Sequence, residues 1–130
     1  MNREYLEDII LKEEIFGYHD EKENRHERWC SQEERFGFCD IETWDLDKAF
    51  AQIIYERLMM YLQYAGHTID LTYHKFEIDF LNTTLTLKEV IDLMIVKTKQ
   101  AITTVDSDEY RDDMDVVWRL MVIVHKHLWW

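Results

Sequence analysis

The sequence contains no proline, and its three glycines stand at 17, 37 and 66 of 130 residues. A fold of many short strands needs a turn residue at every reversal, so this scarcity of breakers excludes a many-turned β-sandwich and favours long helices. Cysteine is equally sparse: Cys30 and Cys39 are too few for a disulfide framework and read as reduced thiols. No run approaches the roughly 20 apolar residues that span a bilayer, and the start, Met1-Asn-Arg-Glu-Tyr5, lacks the apolar core of a signal peptide. A cytosolic protein is therefore expected, with no membrane partner.

Basic residues are also in short supply. Fifteen Lys and Arg face 27 Asp and Glu, a formal net charge of −12, and the imbalance is concentrated early: −9 over residues 1–47 and −3 over 48–130. A field of that sign repels nucleic-acid and lipid phosphates and attracts basic protein surfaces, although acidity also serves simply to keep a small protein in solution.

What is present is ample apolar material. Hydrophobic residues make up 47% of the chain and aromatics 14%, well above the disordered range. A single domain over 1–130 can bury roughly two-thirds of its unfolded surface.

The clearest periodicity runs from Leu46 through Ala49, Phe50, Ile53, Ile54, Leu58, Tyr61, Leu62 and Ala65, the three-and-four spacing of a helix with one buried face. Asp45 is placed to cap it, and Asp47 adds charge favourable to the helix dipole. Earlier, Tyr5, Leu6, Ile9, Ile10 and Phe16 predict a helix over 2–16, stopped at Gly17 and docked on the central one. Residues 18–36 are strongly polar and read as a long connection, helical in part. A connection of that length is uncommon unless it is functional or disordered, so it is one place to look for a binding surface.

After Gly66-His67 the pattern changes. Ile69, Leu71 and Tyr73, then Phe76, Ile78 and Phe80, alternate with polar residues, predicting a hairpin over 68–81 that turns at His74-Lys75. Thr86 and Glu89 form a capping box with Leu85 and Val90 as hydrophobic staple, opening a helix over 87–103 that buries Val90, Ile91, Met94, Ile95, Thr98, Ala101 and Ile102. Asp106-Ser-Asp-Glu109 opens a last helix over 107–129, with Tyr110, Met114, Val117, Trp118, Met121, Val124, His125 and Leu128 as its stripe. The expected fold is mainly α, a compact four-helix bundle with one small β-hairpin and a long polar loop.

Gly37-Phe-Cys-Asp-Ile-Glu-Thr-Trp-Asp-Leu-Asp47 leading into an aliphatic helix, Gly66-His67, Leu85-Thr86 before Glu89-Val-Ile-Asp-Leu-Met94, and the ending His127-Leu-Trp-Trp130 together resemble a family of small proteins encoded in bacteriophage genomes. The resemblance covers residues 36–130. Members of that family usually carry serine at the place of Cys39 and a shorter, proline-containing link at 68–84. It implies a phage origin and a mostly helical fold, and transfers no reaction and no catalytic residue.

Two sets of residues could hold a metal. His19, His26, Cys30 and Cys39 offer the ligand types zinc prefers, but their spacings of 7, 4 and 9 match no zinc knuckle. Asp40, Glu42, Asp45 and Asp47 could gather round a hard cation, but they lack a calcium loop's spacing and glycine, and capping accounts for Asp45 and Asp47 without an ion. His125 reads as a hydrogen-bonded core histidine, with His127 pointing elsewhere. No nucleophile motif and no phosphate-cradling glycine loop is present.

The remaining signal is acidic surface. Asp106, Asp108, Glu109, Asp112, Asp113 and Asp115 put six acids in ten residues, the last three beyond the first helical turn. With Glu21, Glu23, Glu33, Glu34 and the aromatics Trp29 and Trp44, they form the expected partner surface. The expected function is non-catalytic and needs no cofactor. In the host bacterium's cytoplasm, the phage product binds and blocks a basic, nucleic-acid-handling defence protein such as a CRISPR effector nuclease, as anti-CRISPR proteins do. Two alternatives are a small metal-dependent enzyme or binder using the acidic turn at 40–47 with His67 or His74, and a virion or assembly component associating through Trp129 and Trp130.

Overall fold

The computed structural model describes residues 25–44 and 46–129, the side chains of residues 43 and 44 excepted. The elements in chain order are α1 (Arg25–Phe36), the one-turn α2 (Ile41–Trp44), α3 (Leu46–Ala65), β1 (Lys75–Ile78), β2 (Thr83–Thr86), α4 (Leu87–Thr103) and α5 (Ser107–Val124). Two 3-10 turns, Asp79–Leu81 and His125–His127, join or end them. The protein is thus mainly helical with one two-stranded antiparallel hairpin. The expected helix over 2–16 and the Asp45 cap lie outside the described residues. No described helix is long and apolar enough to cross a membrane.

The chain divides into two compact units, Met1–Ala49 and Phe50–Trp130. In the first, residues 25–36 of the predicted polar connection form a regular twelve-residue helix, α1, where a long loop with partial helix was expected. Hydrophobic spacing misses this helix because its inward positions, one turn apart, are Arg28, Gln32 and Phe36, two of them polar. Gln32 and Phe36 are buried nonetheless. Gly37 stops α1 with a φ of 84°, where a side chain would be strained, and its N–H returns to the Glu33 carbonyl at 2.9 Å.

The second unit has a continuous apolar core. Val90, Ile91, Met94 and Ala101 of α4 meet Met114, Val117, Leu120 and Val124 of α5, closed by Ala51, Leu58 and Ala65 of α3 and by Leu71, Ile78 and Leu87. The α4 stripe follows its predicted periodicity. Thr98 is fully buried within it because its hydroxyl donates to the Met94 and Ile95 carbonyls at 2.9 and 3.0 Å.

On α3 the buried line is Ala51, Leu58 and Ala65, seven residues apart, flanked by Ile54, Tyr61 and Leu62. Phe50 and Ile53, expected on the same face, are exposed. Apolar residues wrap more than one face of this helix, so spacing alone does not single out the small alanines. The Phe50 ring instead meets Trp118 edge-on at 6.3 Å, and Trp118 is itself half out of the core.

The hairpin is displaced from its predicted register. Its strands pair Phe76 with Leu85 and Ile78 with Thr83, with the connection at 79–82, and Phe76, Ile78 and Leu85 pack toward the core. Residues 69–73 alternate as a strand would, but Asp70 Oδ1 accepts from the Thr72 N–H (2.9 Å) and hydroxyl (2.6 Å) and closes a turn. Asn82 completes the connection in the left-handed region (φ 51°, ψ 46°), which asparagine tolerates.

The start of α4 draws these parts together. A helix leaves its first N–H groups without internal partners. Here Leu87 N–H donates to the His74 carbonyl and Lys88 N–H to the Leu71 carbonyl, both at 3.0 Å. Glu89 N–H donates to Thr86 Oγ1 while Glu89 Oε1 accepts from Thr86 N–H, the capping box expected from sequence. Thr86→Ala should therefore destabilise the protein by about 1 kcal/mol, with Thr86→Ser close to wild type, measured by urea denaturation. Asn82→Gly should be near neutral and Asn82→Val should cost about 1–2 kcal/mol in the same assay.

Candidate functional site

The six acids around the start of α5 do not form one uniform row. Asp106 is the N-cap, accepting from the Asp108 and Glu109 N–H groups at 2.9 and 3.2 Å. Asp108 faces Arg111 across an exposed pair at 3.3 Å, and Asp115 faces Arg119 at 3.2 Å. Asp113 is largely covered and pairs with Lys97 of α4 at 3.4 Å.

Glu109, Asp112 and Asp113 instead converge. With Gln100, Thr103 and Thr104 they line a cleft of about 570 Å³ where α4 gives way to α5. Glu109 is held by the Thr104 hydroxyl, which donates to Oε2 at 2.8 Å. Asp112 has no hydrogen-bond or ion-pair partner among the described residues and is exposed. The lining is rich in oxygen acceptors and carries three carboxylates, a setting suited to ammonium or guanidinium groups. Gln100, Thr103 and Thr104 carried no signal in the sequence. They reach the site because three residues suffice to join α4 to α5, which brings the end of one helix to the start of the next.

In the first unit Glu33, Glu34 and Trp29 lie on α1, the glutamates exposed and Trp29 partly covered. Trp29 is not a free anchor, because its indole N–H donates to Asp40 Oδ1 at 3.0 Å. Gln32 Nε2 donates to Oδ2 of the same carboxylate at 3.0 Å, and Asp40 N–H returns to Gln32 Oε1 at 2.8 Å. Arg28 Nε lies 3.0 Å from Oδ2. Burial alone would raise the Asp40 pKa. The hydrogen bonds from Gln32, Trp29 and Arg28, with the charge of Arg28, outweigh burial and hold it below its ordinary value. Asp40, a candidate cation ligand in the sequence, is thus committed to pinning its turn to α1.

The metal candidates are redistributed. His26 and Cys30 come together, Sγ to Nε2 at 3.6 Å, one turn apart on α1. Cys39 lies away from that pair, in a group with Glu33 and Glu42 whose donor atoms are within 4.8 Å of one another. Glu42 Oε2 accepts from the Cys39 N–H at 2.7 Å and from its thiol at 3.5 Å. Burial, then the Glu42 hydrogen bond and the charges of Glu42, Glu33 and Asp40, push the thiol up to about 11. It remains protonated at neutral pH, whereas metal ligation needs the thiolate. His19, Glu21, Glu23 and the Trp44 side chain lie outside the described residues.

The two terminal histidines exchange roles. The α-helix ends at Val124 and tightens into a 3-10 turn, which leaves His125 exposed and turns His127 onto Phe76 and His74, with ring centroids at 5.0 and 5.2 Å. A straight continuation of the helix would have given the expected arrangement. Trp129 is exposed, and its carbonyl accepts from the Tyr61 hydroxyl at 3.0 Å.

Comparison of the chain with protein-family models, with curated proteins and with solved structures finds no match.

Two measurements check this site. The Asp40 carboxyl has a depressed folded pKa, so the stability it contributes is complete above the ordinary carboxylate value and disappears as pH falls through the folded one. Asp40→Asn should remove about 1–3 kcal/mol at pH 7 and flatten the acid limb, read from amide exchange of α1 between pH 7 and 3. At pH 8 only about a thousandth of Cys39 is thiolate, so maleimide should label it far more slowly than exposed Cys30. Glu42→Gln should speed Cys39 labelling, as counted by mass spectrometry.

Proposed function

We propose that this protein is a non-catalytic, phage-encoded inhibitor that binds a basic, nucleic-acid-handling bacterial defence protein, with a CRISPR effector nuclease as the leading candidate. The observation that carries the reading is the cleft at the α4–α5 junction, where Glu109, Asp112 and Asp113 converge on a chain of net charge −12. The cleft accepts lysine or arginine side chains that would otherwise hold phosphates. The acids of α5 flank it, and Glu33 and Glu34 add negative surface on α1. The family resemblance over residues 36–130 supports the phage origin, and the reading places the protein in the cytoplasm of the host.

Exposed Asp112, which holds nothing else in place among the described residues, is the residue to change first. The chain should compete with nucleic acid for the nuclease groove, and the competition should weaken steeply between low and physiological salt. Asp112→Lys should weaken it at least about tenfold at low salt while leaving the thermal midpoint unchanged. Binding that ignores both salt and Asp112→Lys would remove this reading.

A further inference from the structure

His74 precedes β1 and His127 follows α5, yet their rings meet with centroids 5.2 Å apart at an interplanar angle of 50°. Each ring is braced by a second aromatic side chain: Tyr73 stands edge-on to His74 at 5.1 Å and Phe76 edge-on to His127 at 5.0 Å. Both backbones are anchored. The His74 carbonyl accepts from Leu87 N–H at 3.0 Å, and the His127 carbonyl accepts from the Tyr61 hydroxyl at 3.4 Å and from Trp129 N–H at 3.0 Å. Among the described residues, nothing hydrogen-bonds to any of the four ring nitrogens. His127 is half-buried and His74 exposed, so the pair opens to solvent on one side.

Two positioned imidazoles with uncommitted nitrogens are the ligand set that borderline transition metals favour, whereas magnesium and calcium require oxygen. We propose that His74 and His127 form a two-imidazole site for a divalent zinc, nickel or copper ion, with water completing the coordination sphere. Each neutral ring supplies one lone pair. The ion would tie the terminal turn to the segment before the hairpin. Because the two ligands are brought together only in the folded chain, binding would stabilise the native state by mass action.

The test uses the full chain without a histidine tag, titrated with zinc or nickel chloride. Native mass spectrometry should show one ion per chain, and the thermal midpoint should rise with zinc or nickel and stay unchanged with magnesium. The double variant His74→Phe, His127→Phe keeps two aromatic rings in contact and removes all four nitrogens. It should lose the bound ion and the thermal rise, and His127→Gln should weaken binding by more than about tenfold. Circular dichroism checks that both variants are folded. His125→Ala and Cys39→Ser should retain the site. Absence of a bound ion in the unsubstituted chain, or an ion still held by the double Phe variant, overturns the proposal.

Discussion

The unpaired N–H groups at the start of α4 are the constraint on which the second unit depends. The first N–H groups of a helix need acceptors from outside it, and this one takes them from three places at once: the His74 and Leu71 carbonyls and the Thr86 hydroxyl. That requirement draws residues 71–74 into a turn across the helix, leaves β1 to begin at Lys75, and lets β2 run directly into α4 without a loop. Leu71 is buried by the same turn, and Leu85, Leu87 and Val90 close over the junction. The hairpin serves as the lid of a helix end, and its short strands are stable because the core lies beneath Phe76 and Ile78.

The first unit follows a different logic. Its described part is held by a carboxylate. Asp40 gathers an indole N–H, an amide and a guanidinium from one face of α1, and Gln32 closes the loop by accepting the Asp40 N–H. Polar groups this well matched can be covered without being orphaned, which is how Gln32 comes to be buried. The same commitment removes Asp40 from the pool of ligands for a cation. The nearby Glu33 and Glu42 act on Cys39, where their charge holds the thiol proton in place.

Legibility from sequence tracked how local each feature is. The capping box at Thr86 and Glu89, the Asp106 cap and the stripe of α4 are written in residues within one or two turns of each other, and they stand as read. On α5, Met114, Val117 and Val124 are buried as expected, while Trp118 and His125 are exposed and Leu120, outside the expected stripe, is fully buried. The hairpin register was not legible, because Ile69, Leu71 and Tyr73 alternate as a strand does while Asp70 turns the chain through its own side chain. Helix α1 was legible only as partial helix in a polar connection, because its inward positions are largely polar. Of the cleft, the acids were visible as a charge run but the Gln100, Thr103 and Thr104 wall was not, since nothing local marks which residues a helix end will bring alongside. His127 was assigned outward because a uniform 3.6-residue period does not anticipate a tightened last turn.

The pairing of consecutive elements also bears on how quickly the second unit forms. β1 pairs with β2, β2 runs into α4, and α4 packs on α5, so most of the ordered contacts close short loops. Folding rates fall as contacts reach further along the chain, which places this segment among fast folders, and with no proline in the sequence no prolyl isomerisation can delay it. The longer closures are those of α3, such as the Tyr61–Trp129 hydrogen bond across 68 residues and the Phe50–Trp118 ring pair. The hairpin, α4 and α5 need only short loops, so they assemble before α3 is seated across them.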